Sequence, residues 1–170
     1  MTSTAQRVRR IVLQPGEAYF GPGPAVIETV LGSCLSVVLR DPDSGFAAMS
    51  HCMLPRRGSA VKPLAADPEA YNYVDTCIPM LLELMASHGD PASLEVKVFG
   101  GADMFPPSLA GRAGAVGAEN TAVAMDQLQA RKLRVFRTDL GGNRGRHVRF
   151  DTETGEVFVR YLSSVRQAIA

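Results

Sequence analysis

Residues 26–55, VIETVLGSCLSVVLRDPDSGFAAMSHCMLP, hold a strand-like run that ends at Gly32, a cysteine two residues later, and a histidine 17 residues after the cysteine. The run 26–31 reads as a strand stopped by the glycine. Residues 35–39 alternate as a half or fully buried strand does, DPDSG is a turn signal, and residues 46–54 form a second strand that Pro55 ends, since proline cannot donate to a ladder. With a four-residue loop over Asp41 to Ser44, Arg40 faces Gly45. Val37 then lies opposite Ala48, Leu39 opposite Phe46 and Cys34 opposite His51. Directly opposed residues of an antiparallel pair share a face, so this hairpin alone would deliver a thiol to an imidazole. A slip of one residue would send the two to opposite faces.

Such a pair has definite chemistry. An isolated thiol with a pKa near 8.5 is only about a few per cent thiolate at neutral pH, and a neighbouring imidazole can take its proton. Gly32 lets the backbone turn tightly, and the N–H groups of Ser33 and Cys34 are placed to meet a developing oxyanion. Thr29 is the candidate for a third group that orients the imidazole. Against this stands the commoner fate of both residue types, in which cysteine is buried and histidine is structural. Cys52 and Cys77 are read that way, as free core thiols. His88 is placed at a helix end where it complements the dipole, and His147 at an exposed position in an arginine-rich strand.

Composition bounds the remaining classes. The 170 residues are 46% hydrophobic, enough for one domain with a real core. With 18 basic and 17 acidic side chains the net charge is +1, which gives no bulk attraction to nucleic acid or to an anionic membrane. No apolar run approaches a membrane span or the core of a signal peptide, so a cytoplasmic protein without membrane insertion is expected. Three cysteines without a C-x-x-C pair signal neither a disulfide framework nor a zinc site. No metal or organic cofactor is called for.

Outside the opening stretch, the first ten residues read as a flexible lead-in, with IVLQ (11–14) a short edge strand. Residues 56–69 read as a surface loop. Tyr71, Val74, Ile78, Leu81, Leu82 and Met85 fall on one helical face, with Pro79 inside and Gly89 as the C-terminal cap. LEVKVFGG is a strand running into two glycines, a second helix covers 118–132, a strand starts at Leu133, and HVRFDTETGEVFVRYL is a hairpin. The class is α/β (α+β): a single-domain layered sandwich with a mixed sheet and flanking helices. GGNRGRH lacks the order of a phosphate loop and reads as a turn.

ETVLGSC followed by a strand, a D-P turn and HCMLP resembles the signature of the CheD family of chemoreceptor glutamine deamidases. PGE at Pro15, VKVFGGADMF at Val96, VGAENTAVA at Val116 and DLGGNRGRHVRFDTETGEV at Asp139 agree in order, so the resemblance runs from about Val12 to Arg160. It implies a fold similar to the catalytic domain of cytotoxic necrotizing factor toxins and a cysteine–histidine mechanism through a thioester, a protein-glutamine glutaminase chemistry. The implied substrates are glutamines on the cytoplasmic helices of methyl-accepting chemotaxis receptors, and the implied partner is a CheC-type phosphatase. Some members place the triad threonine six residues before the cysteine; here Glu28 stands there and Thr29 stands five before, which leaves Glu28 as the alternative. Phe105, Arg144 and Arg146 are candidate docking residues for substrate or partner.

Overall fold

A computed structural model describes residues 8–58, 67–105 and 111–163. Among these residues the chain forms β1 (Arg9–Val12), β2 (Ala18–Pro22), β3 (Ala25–Leu31), β4 (Leu35–Arg40), β5 (Phe46–Ser50), α1 (Val74–Ala86), β6 (Glu95–Gly100), α2 (Gly111–Ala130), β7 (Val135–Leu140), β8 (Arg146–Asp151) and β9 (Val157–Tyr161). The strands divide between two mixed sheets, one ordered β1-β3-β8-β9 and the other β2-β5-β4-β6-β7. Only β1 with β3 and β6 with β7 run parallel.

The layers follow from which strands are buried on one face and which on two. In β3, Ile27, Thr29 and Leu31 are buried while Glu28 and Val30 face outward, the alternation of a sheet with one wet side. β4 is buried on both. Its Leu35, Val37 and Leu39 pack with Val74, Ile78, Leu81, Ala124 and Leu128 of the two helices, whereas Val38 packs with Ile27, Val148 and Phe150 of the other sheet. The five-stranded sheet is thus the middle layer, with the four-stranded sheet on one face and the helices on the other.

The hairpin forms in a register other than the expected one. Val38 faces Met49, Leu39 faces Ala48 and Arg40 faces Ala47, and an isolated bridge between Leu35 and Cys52 keeps the same register. Each pairing is displaced by two residues from the one predicted. The cause lies in the turn. Asp41 stays in the ladder, its N–H donating to the Phe46 carbonyl (2.9 Å), and its carboxylate accepts from the Asp43 N–H (3.0 Å). Gly45, with φ +73°, is the last residue of the loop rather than a partner of Arg40. A two-residue shift preserves the parity of the faces. The strand also ends earlier than predicted, at Ser50, whose hydroxyl accepts the Val37 N–H (3.0 Å) and interrupts the ladder.

Two further elements differ. β2, absent from the sequence reading, is an edge strand whose short run carries both Gly21 and Pro22. β1 begins at Arg9, inside the expected flexible lead-in. The predicted surface loop after Pro55 falls largely on residues outside those described; its last part contributes a short 3₁₀ turn, Pro68–Asn72. α1 keeps Pro79 in its interior. The proline leaves the Asp75 carbonyl without its intrahelical donor, and Gln127 of α2 supplies one through Nε2 (3.1 Å). Ser87, not Gly89, caps α1. Gly89 is small for another reason, since a Cβ there would meet the Asp41 carboxylate.

Candidate active site

Three segments of chain converge at the end of the inter-sheet layer where β3 passes into β4. The inner face of β3 contributes Thr29, the residue after β5 contributes His51, and the connection between β3 and β4 contributes Gly32, Ser33 and Cys34. Cys34 packs against the inter-sheet cluster, while Leu35 beside it belongs to the helix-side cluster. Cys34, Thr29 and His51 therefore share one side of the middle sheet. In the observed register the position directly across from His51 is that of Ser36, a buried serine, and Cys34 is its diagonal neighbour.

His51 is held at both ends. Its N–H donates to the Glu17 carbonyl (2.9 Å) and its carbonyl accepts from the Gly16 N–H (2.8 Å), which gives the PGE motif a task in placing the imidazole. Gly16 needs its φ of +82°, and a Cβ there would collide with Asn72. His51 is 3% exposed and Thr29 1%, and the ring Nδ1 lies 2.7 Å from the Thr29 hydroxyl. That hydroxyl has one proton and donates it to the Leu13 carbonyl (2.9 Å). Its lone pair is left to accept, so Nδ1 carries the imidazole hydrogen and Nε2 the free electron pair, a tautomer assigned from this network. Among the described residues no hydrogen bond joins the Cys34 thiol to His51 or to any other side chain, so the direct contact expected from the sequence is not made.

Burial sets the resting charges. It pushes the Cys34 thiol above its ordinary pKa, and the neighbouring Cys52 adds to the rise. Burial likewise pulls His51 below its ordinary value, against an opposite pull from the Leu13 carbonyl and from Glu17. Both effects favour neutral forms. Neither group counts the other among the causes of its shift, so each leans to its neutral form through its own surroundings.

The loop that carries Cys34 is pinned through its carbonyls. Gly32 O accepts from the Ala102 N–H (3.0 Å), Cys34 O from the Gly101 N–H (2.9 Å) and Ser33 O from Asn120 Nδ2 of α2 (3.0 Å). Asn120 Nδ2 also reaches the Met53 carbonyl (3.1 Å). The approach of β6 is close enough that a Cβ on Gly100 would lie 2.2 Å from the Cys34 carbonyl oxygen, which explains the VFGG pair. Among the described residues the N–H groups of Ser33 and Cys34 have no main-chain acceptor.

The other predicted residues are scattered. Glu28 lies on the outer face of β3, bonded to Arg10 (2.9 Å) and His147 (3.2 Å), with its carboxyl held below the usual range mainly by Arg10. It cannot reach the His51 face, because neighbouring residues of a strand point to opposite sides. His147 is correspondingly half-buried rather than exposed. Arg146, expected at a docking surface, is 1% exposed: its guanidinium is used on the Asp139 carboxylate and the Gly141 carbonyl. Arg144 is exposed but its guanidinium bonds to the Leu162 carbonyl (3.1 Å). Phe105 is 44% exposed, next to Met104, whose side chain lies against Gly32. Cys52 and Cys77 are buried free thiols on the helix side. His88 donates from Nδ1 to the Leu84 carbonyl (3.2 Å) as a helix-end residue, and its ring also packs 4.0 Å from that of Phe46. Asn120 escaped the sequence reading, although a polar residue in line with Gly117, Val123, Ala124 and Leu128 on the buried stripe of a helix is a visible signal. Among the described residues no three His, Cys, Asp or Glu side chains are grouped to hold a metal, and no helix is long and apolar enough to cross a membrane.

A thiol, an imidazole oriented by a threonine, and two main-chain amides beside the thiol that have no main-chain acceptor among the described residues are groups of the kind that thiol-dependent acyl transfer uses. Comparison with known proteins adds the family. A sequence model described as CheD chemotactic sensory transduction matches residues 53–161. A Geobacter sulfurreducens protein named probable chemoreceptor glutamine deamidase CheD 2 is 40% identical over 164 residues, 96% of each chain, a span that takes in Cys34 and His51. The Thermotoga maritima protein named chemoreceptor glutamine deamidase CheD is 35% identical over 159 residues, 92% of this chain and 94% of that one. The chain belongs to the CheD family. Among solved structures, a Neisseria meningitidis protein of the DUF152 family matches 74% of this chain and 52% of its own at 12% identity, with a TM-score of 0.36.

Proposed function

We propose that this chain is a protein-glutamine deamidase that converts glutamines of chemoreceptor cytoplasmic helices to glutamate. The observation that carries the reading is the Thr29–His51 contact of 2.7 Å, in which a hydroxyl already committed to Leu13 leaves the imidazole Nε2 as a free base on the face that holds Cys34. The names of the relatives supply the substrate class.

As the Cys34 sulfur attacks the amide carbon, His51 Nε2 takes the thiol proton. The carbonyl oxygen gains the electron pair and is met by the N–H groups of Ser33 and Cys34. Collapse of the tetrahedral intermediate breaks the C–N bond, His51 returns its proton to the leaving nitrogen, and ammonia departs from a thioester. His51 then takes a proton from water as it attacks the thioester. The C–S bond breaks, the sulfur recovers its proton and glutamate is released. Thr29 keeps the ring in the tautomer that both halves need. The exposed Met104 and Phe105 flank the nucleophile's loop and offer an apolar rim for a receptor helix, or for a CheC-type phosphatase.

The test is intact mass measurement of a receptor cytoplasmic fragment incubated with the protein. Deamidation replaces an amino group by a hydroxyl and leaves the fragment whole. Cleavage of the fragment would indicate a protease, and an unchanged mass with retained binding would indicate a docking module.

A further inference from the structure

We propose that Asn120 is a positioning residue for acyl transfer at Cys34: from α2 it fixes the peptide plane whose N–H, that of the nucleophile itself, receives the oxyanion. The inference rests on the acyl-transfer reading of Cys34. In a trans peptide the C=O and the following N–H point in opposite directions. Anchoring the Ser33 carbonyl on Asn120 (3.0 Å) therefore aims the Cys34 N–H the other way, just as anchoring the Gly32 carbonyl on Ala102 (3.0 Å) aims the Ser33 N–H. Among the described residues three groups donate to the carbonyls of this loop: the main-chain N–H groups of Gly101 and Ala102, and the side chain of Asn120.

The second hydrogen of the same amide reaches Met53 O (3.1 Å), two residues beyond His51. One side chain thus ties the nucleophile's segment to the base's segment, close to where Ser50 interrupts the β4–β5 ladder. Packing does not account for the residue. Asn120 is wholly buried on an apolar helix stripe and among the described residues its Oδ1 has no partner, a loss that an aliphatic residue would avoid. What an aliphatic residue could not do is donate to two carbonyls from different segments.

Two reagents separate positioning from general support, using the full chain. p-Nitrophenyl acetate acylates a thiol through a tetrahedral oxyanion: the S–C bond forms, the thiol proton goes to His51 and nitrophenolate leaves. Iodoacetamide alkylates the same sulfur by displacing iodide at a tetrahedral carbon, with no oxyanion to stabilise. Labelling at Cys34 is taken as the rate lost in Cys34→Ala. Asn120→Ala is expected to slow acylation by about 10- to 100-fold, the scale of a weakened oxyanion site, while alkylation stays within about threefold. Asn120→Ser, which retains one donor, should show the same selective loss in smaller degree and serves if the alanine variant does not fold. Equal losses with both reagents, or none with either, would overturn the proposal. If the wild-type protein acylates at Cys34 yet deamidates no receptor fragment, the substrate reading fails and the ratio of the two rates still decides the role of Asn120.

Discussion

The two faces of the middle sheet carry cysteines of opposite character. On the helix side Cys52 and Cys77 are fully buried, and Cys77 is held far above the ordinary thiol range by its contact with Cys52 and by burial. On the inter-sheet side Cys34 is half-buried and shares its face with an imidazole whose tautomer is set by Thr29. Burial raises the thiol pKa on both sides, so a low resting pKa is not what distinguishes Cys34. The difference is an imidazole within the same layer, and the strand's period of two decides which cysteine shares a face with it.

Removing the distinguishing sulfur gives the largest effect. Cys34→Ala should abolish ammonia release from a receptor fragment with the fold intact. Cys52→Ala and Cys77→Ala should keep most activity and lower stability by about 1 kcal/mol each, readable as a shift in thermal midpoint. Equal losses from all three would erase the contrast between the faces. Next, His51→Ala removes both proton acceptor and donor, and kcat should fall by about 10²- to 10⁴-fold. Thr29→Ala, which releases the ring without removing it, should cost about tenfold in kcat, the worth of one hydrogen bond. Glu28→Gln, on the outer face, should stay within about twofold, and the reverse ranking of Thr29 and Glu28 would reassign the orienting group.

The smallest effect is a displacement of pH dependence. The competent imidazole is neutral and burial lowers its pKa, so activity should persist as pH falls to the ordinary value of about 6.5 and be lost only below it. Alkylation of Cys34 should climb with pH and reach half its limit above about 8.5, because burial raises the thiol. Rapid labelling at pH 6 would mean a resting thiolate and a different activation.

Much of this was legible in residues 26–55, because parity survives errors in register. The alternation of β3 and the turn at DPDSG were enough to put Cys34 and His51 on one face. The pairing itself was displaced by two, since the side-chain bond by which Asp41 holds the turn is a local choice that hydrophobic pattern does not record. β2 was hidden by Gly21 and Pro22, which the five-stranded sheet tolerates at its edge. Arg146 looked available for docking because its burial depends on Asp139, which the β7–β8 turn brings back beside it. Asn120 stands out as a polar residue on a buried stripe, but its partners are carbonyls of distant segments, and main-chain partners leave no mark that would say what it holds.

Pro79 has a consequence for how the helical layer assembles. An interior proline ordinarily costs a helix about 3 kcal/mol, partly through the carbonyl it strands. Here that carbonyl belongs to Asp75 and is satisfied by Gln127, so α1 is complete only once α2 lies against it. The defect therefore couples the two helices, because moving α2 away would leave the Asp75 carbonyl without a donor. Asn120 sits two turns before Gln127 on α2, so the helix that holds the Cys34 loop is itself bonded to the flaw in its neighbour.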